Sequence, residues 1–212
     1  MPASEAPAPR GTFARSRAVL FVFALIPLAS LANDYEAGTM ARPWATMIDV
    51  TGDWSMRFLV AGLCVTPLAR LAGRPGFAAF RRMVGLFGAF YAALHLFAWC
   101  REYGYDWPFL GSELVLRRYL TIGAVAALLL VPLAATSPAV MHRLLGPAPW
   151  RRLHTLIYPA VLAAFVHYAM ARGLRAEVII DGLLLAAAFT ARLAPVARPA
   201  QGPMRRAMRA RN

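Results

Sequence analysis

An all-α membrane protein, built as a bundle of six transmembrane helices, is the fold class this sequence predicts, on three observations. The chain is 59% hydrophobic with a mean hydropathy of +0.52, too apolar for an ordinary soluble domain. Six apolar runs, at about 16–33, 55–72, 83–101, 118–136, 151–171 and 176–194, each approach the roughly 20 residues a helix needs to cross a bilayer. The charges fall between these runs in a pattern that fixes one orientation. The joining segments are short, so the runs form one domain over 16–194 of antiparallel helices. An N-terminal tail, 1–15, and a basic C-terminal tail, 195–212, flank it; both are rich in Pro, Ala and Arg and are expected to be disordered.

The formal charge is +13, and every basic residue is arginine. A basic protein can bind nucleic acid, but that needs a basic face on a soluble fold. Here the arginines bracket apolar runs, which speaks for membrane topology and against a nucleic-acid partner. With both termini in the cytoplasm, 16 of the 23 arginines lie inside and nine of the ten acidic residues lie outside. That bias satisfies the positive-inside rule for an even number of spans. Trp44, Trp54, Trp99 and Trp107 then fall near the outer surface and Trp150 near the inner one, as interfacial aromatics do.

The first run, 16–33, follows a basic start and ends in Ser30-Leu31-Ala32, so residues 1–32 also have the form of a signal peptide. Removing it would leave five spans and upset the charge balance, which favours a retained helix. The second run carries Cys64 near mid-membrane. The third carries Cys100 near one surface, so the two thiols differ in depth by roughly 10 Å or more. They read as small packing residues rather than a disulfide. The third run also contains His95. Between the third and fourth runs lies an outer segment, 102–117, which with 34–54 carries most of the acidic and aromatic outside residues. These two segments are the candidate partner-contact surface. A short inner loop holds His142 beside Arg143, read as a solvated loop residue. The fifth run contains His154 and His167, and the sixth contains Asp181 close to its outer end.

The intramembrane histidines carry the functional reading. A single histidine in an apolar span reads most simply as a hydrogen bond to a neighbouring helix, yet ionisable residues at membrane depth are functional candidates. Depth decides between these readings. His95 lies 13 residues above Arg82, roughly 20 Å up, and His167 lies 17 above Trp150, roughly 25 Å up. Two neutral imidazoles meeting at one level can clamp a haem iron from both sides. His154 lies about 20 Å below His167, a spacing suited to a second haem. One difficulty is angular: 13 residues of straight helix leave His154 and His167 roughly 140° apart, and Pro159 between them is expected to kink the helix. Another is that the position 14 residues before His95 is Arg81, so the inner level has one obvious axial ligand. Arg81 or Arg82 can bind a haem propionate there or serve simply as positive-inside anchors.

Four stretches, TGDWSMRFLVAGLCVTPLAR (51–70), RRMVGLFGAFYAALHL (81–96), RRYLTIG (117–123) and WRRLHTLIYPAVLAAFVHY (150–168), together resemble the MsrQ family, within the ferric reductase-like transmembrane group. The resemblance covers about 45–190. It implies six helices in a bacterial inner membrane, b-type haem (one or two), FMN, and electron transfer from the quinone pool to a periplasmic molybdopterin-dependent reductase of methionine sulfoxide. It matches His95, His154 and His167 to the family's haem ligands. Arg118 departs from the family pattern, where proline is expected. No GxGxxG or P-loop is present, so a nicotinamide nucleotide has no site in this chain. A small metal or solute transporter using the same histidines is the rival reading. Against it, the acids within the runs are few, Asp181 and, at the very edge of the sixth run, Glu177, and no inverted repeat is visible.

Overall fold

The computed structural model describes residues 10–73 and 75–193. The tails expected at 1–15 and 195–212 therefore lie almost wholly outside the described residues, and 10–15 belong to the first helix. Every regular element among the described residues is helical. They are α1 (Arg10–Glu36), α2 (Pro43–Leu71), a 3₁₀ turn (Pro75–Ala79), α3 (Phe80–Glu102), α4 (Trp107–Leu116), α5 (Arg118–Ala135), α6 (Ala139–Leu145), α7 (Pro147–His154), α8 (Ile157–Arg172) and α9 (Ala176–Leu193).

Four stretches are long and apolar enough to cross a membrane: 15–36, 80–102, 118–135 and 147–172, the last comprising α7 and α8. The remaining two of the six expected spans, α2 and α9, are helices of 29 and 18 residues with a charge set away from their ends, Arg57 at the middle of α2 and Asp181 within α9. In α2 the stretch 58–69 is uncharged. The segment 34–54, expected to be an outer loop, is helical from Pro43 onward. Asp49 and Asp53 hide this in the sequence, because the hydropathy rises only after them.

α2 is the central post, packed along α3 on one side and against α8 and α9 on the other. Its Met56, Leu59, Val60 and Leu63 join Leu130, Ala160, Val161, Val178 and Leu185 in one buried cluster. Its Phe58 joins Ala24, Val84, Phe87 and Tyr91 in a second. The perimeter is apolar too, with Leu128 70% and Leu183 67% exposed, a surface suited to hydrocarbon rather than water. The end of the bundle bearing the N-terminus of α2 and the C-termini of α3 and α8 is called the upper end below. Trp44, Trp99 and Trp107 belong to elements at that end. Trp150 belongs to α7 at the lower one.

The fifth run is not one kinked helix. α7 stops at His154, and α8 begins at Ile157. Across the joint the bonding tightens: Leu156 N–H donates to the Leu153 carbonyl at 3.0 Å and Tyr158 N–H to the Thr155 carbonyl at 3.1 Å. Pro159, expected to kink a continuous helix, instead sits in the first turn of α8. There its missing N–H costs nothing, and Tyr158 serves the carbonyl Pro159 cannot reach. Cys64 and Cys100 are both free thiols, half-buried.

Candidate functional site

His95 on α3 and His167 on α8 come together near the upper end, with ring centroids 6.0 Å apart and ring planes at 79°. Each ring is tethered through Nδ1. His95 Nδ1–H donates to the Ile48 carbonyl of α2 at 2.8 Å, and His167 Nδ1–H to the Tyr119 carbonyl of α5 at 2.7 Å. A carbonyl can only accept, so both Nδ1 atoms carry protons, and a neutral imidazole then keeps its lone pair on Nε2. That is how a metal-ligating histidine is usually held. The Tyr119 ring also stacks on His167, centroids 5.8 Å apart at 24°.

Two glycines make room for this arrangement. A Cβ on Gly52 of α2 would stand 2.9 Å from His95 Nδ1, and one on Gly123 of α5 would stand 2.6 Å from His167 Nδ1. Each imidazole lies against a helix at a place where that helix lacks a side chain. Arg172, five residues beyond His167, then ties α8 to α2. Its guanidinium bonds Asp53 Oδ1 at 2.8 and 3.1 Å, the Asp49 carbonyl at 3.0 Å and Asp49 Oδ1 at 3.1 Å. The Arg172 side chain is only 18% exposed. Of the acids of 34–54 that had marked a partner surface, Asp53 is thus turned into the bundle, while Asp49 pairs with Arg172 at the surface. In 102–117 and its border, Glu113 pairs with Arg117 and Glu102 with Arg42. Arg117 is held further toward its charged form by the Tyr119 hydroxyl and by Glu113.

His154 is placed differently. Its ring stacks on Trp150 at 3.9 Å, and Trp150 meets His142 edge-on at 5.0 Å on another side. His142, expected in a loop, is exposed but lies on the short helix α6. The Thr136 hydroxyl donates to the Pro132 carbonyl at 2.6 Å, so His154 Nε2–H donates to Thr136 Oγ1 at 3.1 Å. The nitrogen that would face a metal is occupied. Trp150 Nε1–H donates to the Thr136 carbonyl at 2.9 Å, completing a knot of three side chains. Arg81 is exposed but close enough for its charge to be felt at His154; Arg82 is exposed. Asp181, expected near a span's outer end, is buried on α9, and its Oδ2 has no hydrogen-bond partner among the described residues.

The upper pair can hold one metal-centred group between two nitrogens. Two imidazoles facing across one metal, with bonds of about 2 Å, put their ring centres roughly 6 Å apart, which the observed spacing matches. Among the described residues, no three His, Cys, Asp or Glu side chains converge as a metal cluster; the upper histidines meet as a pair. Sequence reasoning found that pair but not its supports. The glycines were legible as lone glycines inside helical runs. Arg172 was legible as an arginine on the wrong side of the charge bias.

Residues 51–165 match the family model described as the ferric reductase like transmembrane component. A protein of Rhodospirillum rubrum is 37% identical over 185 residues, 86% of this chain and 89% of its own. Proteins of Caulobacter vibrioides (40% over 144 residues, 67% and 69% of the two chains) and Pectobacterium carotovorum (38% over 157, 73% and 78%) are also similar. All three carry the name protein-methionine-sulfoxide reductase heme-binding subunit MsrQ. No solved structure matches.

Proposed function

The chain belongs to the ferric reductase-like transmembrane family, and within it to the MsrQ haem-binding subunits; from that premise we propose that it is a membrane electron-transfer subunit. It takes electrons from the quinone pool and passes them to a periplasmic molybdopterin-dependent reductase that repairs methionine sulfoxide. The domain 16–194 crosses the bacterial inner membrane six times, with α2 and α9 as the two remaining spans and both tails cytoplasmic. The upper end then faces the periplasm, next to the partner. FMN is included on family likeness alone and is assigned no residues.

One observation carries this reading: the His95–His167 pair at 6.0 Å, each ring tethered through Nδ1. His95 and His167 hold a b-type haem there, which supplies reversible one-electron chemistry at iron. The chain's own work is to prepare that place. The Ile48 and Tyr119 carbonyls hold the protons on Nδ1 and leave the Nε2 lone pairs for the metal. Gly52 and Gly123 admit the rings, and Arg172 holds α8 against α2 so that the two rings keep their separation. His154, with Arg81 or Arg82 toward a propionate, would serve a second haem at the lower end only in a conformation in which Thr136 has released Nε2; as it stands the ring is held in packing.

The test is spectroscopic. Purified protein should show b-type bands in its reduced-minus-oxidised spectrum. His95→Ala and His167→Ala should each remove the upper haem, and His154→Ala should change the haem count only if a lower haem is present. Full haem content in both upper variants would overturn the assignment.

A further inference from the structure

Between α1 and α2, toward the upper end, lies a cavity of about 320 Å³. One face of α1 lines it through Phe23, Ile26, Pro27, Ser30, Leu31 and Asp34, residues three and four apart. One face of α2 closes it through Thr46, Val50 and Trp54, at steps of four. Phe23, Ile26 and Ser30 are exposed at its rim, so it opens on the apolar perimeter of the bundle. Its size falls at the lower end of the range of small-molecule sites, and its mostly apolar wall with a few polar groups is typical of them.

The polar groups offered to an occupant are chiefly acceptors. Pro27 has no N–H, so the Phe23 carbonyl lacks its helical donor. Asp34 presents a carboxylate that makes no hydrogen bond or ion pair among the described residues. The Thr46 hydroxyl donates to the Arg42 carbonyl at 3.0 Å, which leaves its oxygen to accept. The wall is also braced. Tyr91 of α3, fully buried, donates its hydroxyl to the Ala24 carbonyl at 2.8 Å, fixing α1 beside Pro27. An acyl chain offers these acceptors nothing, and a phosphate is repelled by Asp34. A flat aromatic ring bearing hydroxyl donors satisfies both the apolar wall and the acceptors.

We infer that this cavity binds the ring of a lipid-dissolved hydroquinone. The inference rests on the proposed quinone-pool donor and gives it a place. Thr46, Val50 and Trp54 face the cavity, whereas Gly52 of the same helix lies against His95. Positions 50 and 54 are each about 200° round the helix from 52. The cavity and the histidine pair therefore flank α2 from opposite sides, one helix apart.

The experiment uses the full chain purified with its haem and decylubiquinol as probe, with haem and probe both held reduced by dithionite while binding is read. Binding is read by equilibrium dialysis, and haem reduction by decylubiquinol is read in a stopped-flow spectrometer. Ile26→Trp fills the rim, Pro27→Ala returns a donor to the Phe23 carbonyl, and Leu128→Trp, on the exposed perimeter of α5, is the control. Haem content and spectrum check that each variant is folded. Ile26→Trp should weaken probe binding by about tenfold or more, Pro27→Ala by a few-fold, and Leu128→Trp not at all. Unchanged binding in Ile26→Trp, or no binding to the unaltered chain, overturns the inference. So does a cavity that retains phospholipid which the probe fails to displace. Reduction tests the donor reading separately. Cavity-dependent binding without reduction by quinol would remove the donor and keep the site. Rapid reduction that Ile26→Trp leaves untouched would keep the donor and remove the site.

Discussion

The upper and lower histidines differ in which nitrogen the protein has used. At the upper end the fold consumes Nδ1 on both rings, through backbone carbonyls of neighbouring helices, and leaves Nε2 available on each. At the lower end it consumes Nε2 of His154, through the Thr136 hydroxyl, and stacks the ring on Trp150. The same residue type in the same apolar run is thus prepared for coordination in one place and built into a packing knot in the other. Depth in a membrane is not enough to mark a ligand; the partner of the second nitrogen distinguishes the two.

The strongest way to break this comparison is to remove a ring. His95→Ala or His167→Ala should abolish the low-spin b-type signal of the upper site, whereas His154→Ala should leave that signal in place; haem quantification per polypeptide checks both. Next in size is a methyl group placed under each ring. Gly123→Ala should displace His167 and Gly52→Ala should displace His95, the former more severely because its Cβ would stand at 2.6 rather than 2.9 Å. The expected result is loss or splitting of the low-spin electron paramagnetic resonance signal at unchanged expression. Arg172→Gln should follow, costing about 1–3 kcal/mol by leaving Asp53 without its partner. It should lower the thermal midpoint and broaden the same resonance as α8 loosens from α2. The smallest effect belongs to the lower end. Thr136→Val should cost about 1 kcal/mol, leave the upper spectrum unchanged, and free His154 Nε2. A gain in haem content in that variant would show the lower ring turning from packing to coordination.

Much of this was legible before any coordinates. The runs at 83–101, 118–136 and 176–194 lie close to α3, α5 and α9, because charged residues or proline stand close to the ends of each run. The first 12 residues of α2 were missed, since a charge that pairs with an arginine 119 residues away looks, locally, like a loop charge. The short helices α4 and α6 were missed because neither is long enough to show a period. The His95–His167 meeting could be read from matched depth alone. The tethering carbonyls could not, because a backbone acceptor leaves no trace in residue identity. Pro159 was noticed and its consequence misassigned: proline signals an interruption, but whether the chain bends or restarts depends on who serves the orphaned carbonyl, here Tyr158.

The joint at Thr155–Leu156 also has a consequence for how this architecture can change over generations. Along an unbroken helix, each residue added or lost turns everything beyond it by about 100°, so one deletion would swing either imidazole out of line. A restart absorbs such slips. The lower half can gain or lose residues, or trade Trp150 and Thr136 for other neighbours, while the upper half keeps its rotation. Lineages built on this plan can remodel one end of the bundle without disturbing the other.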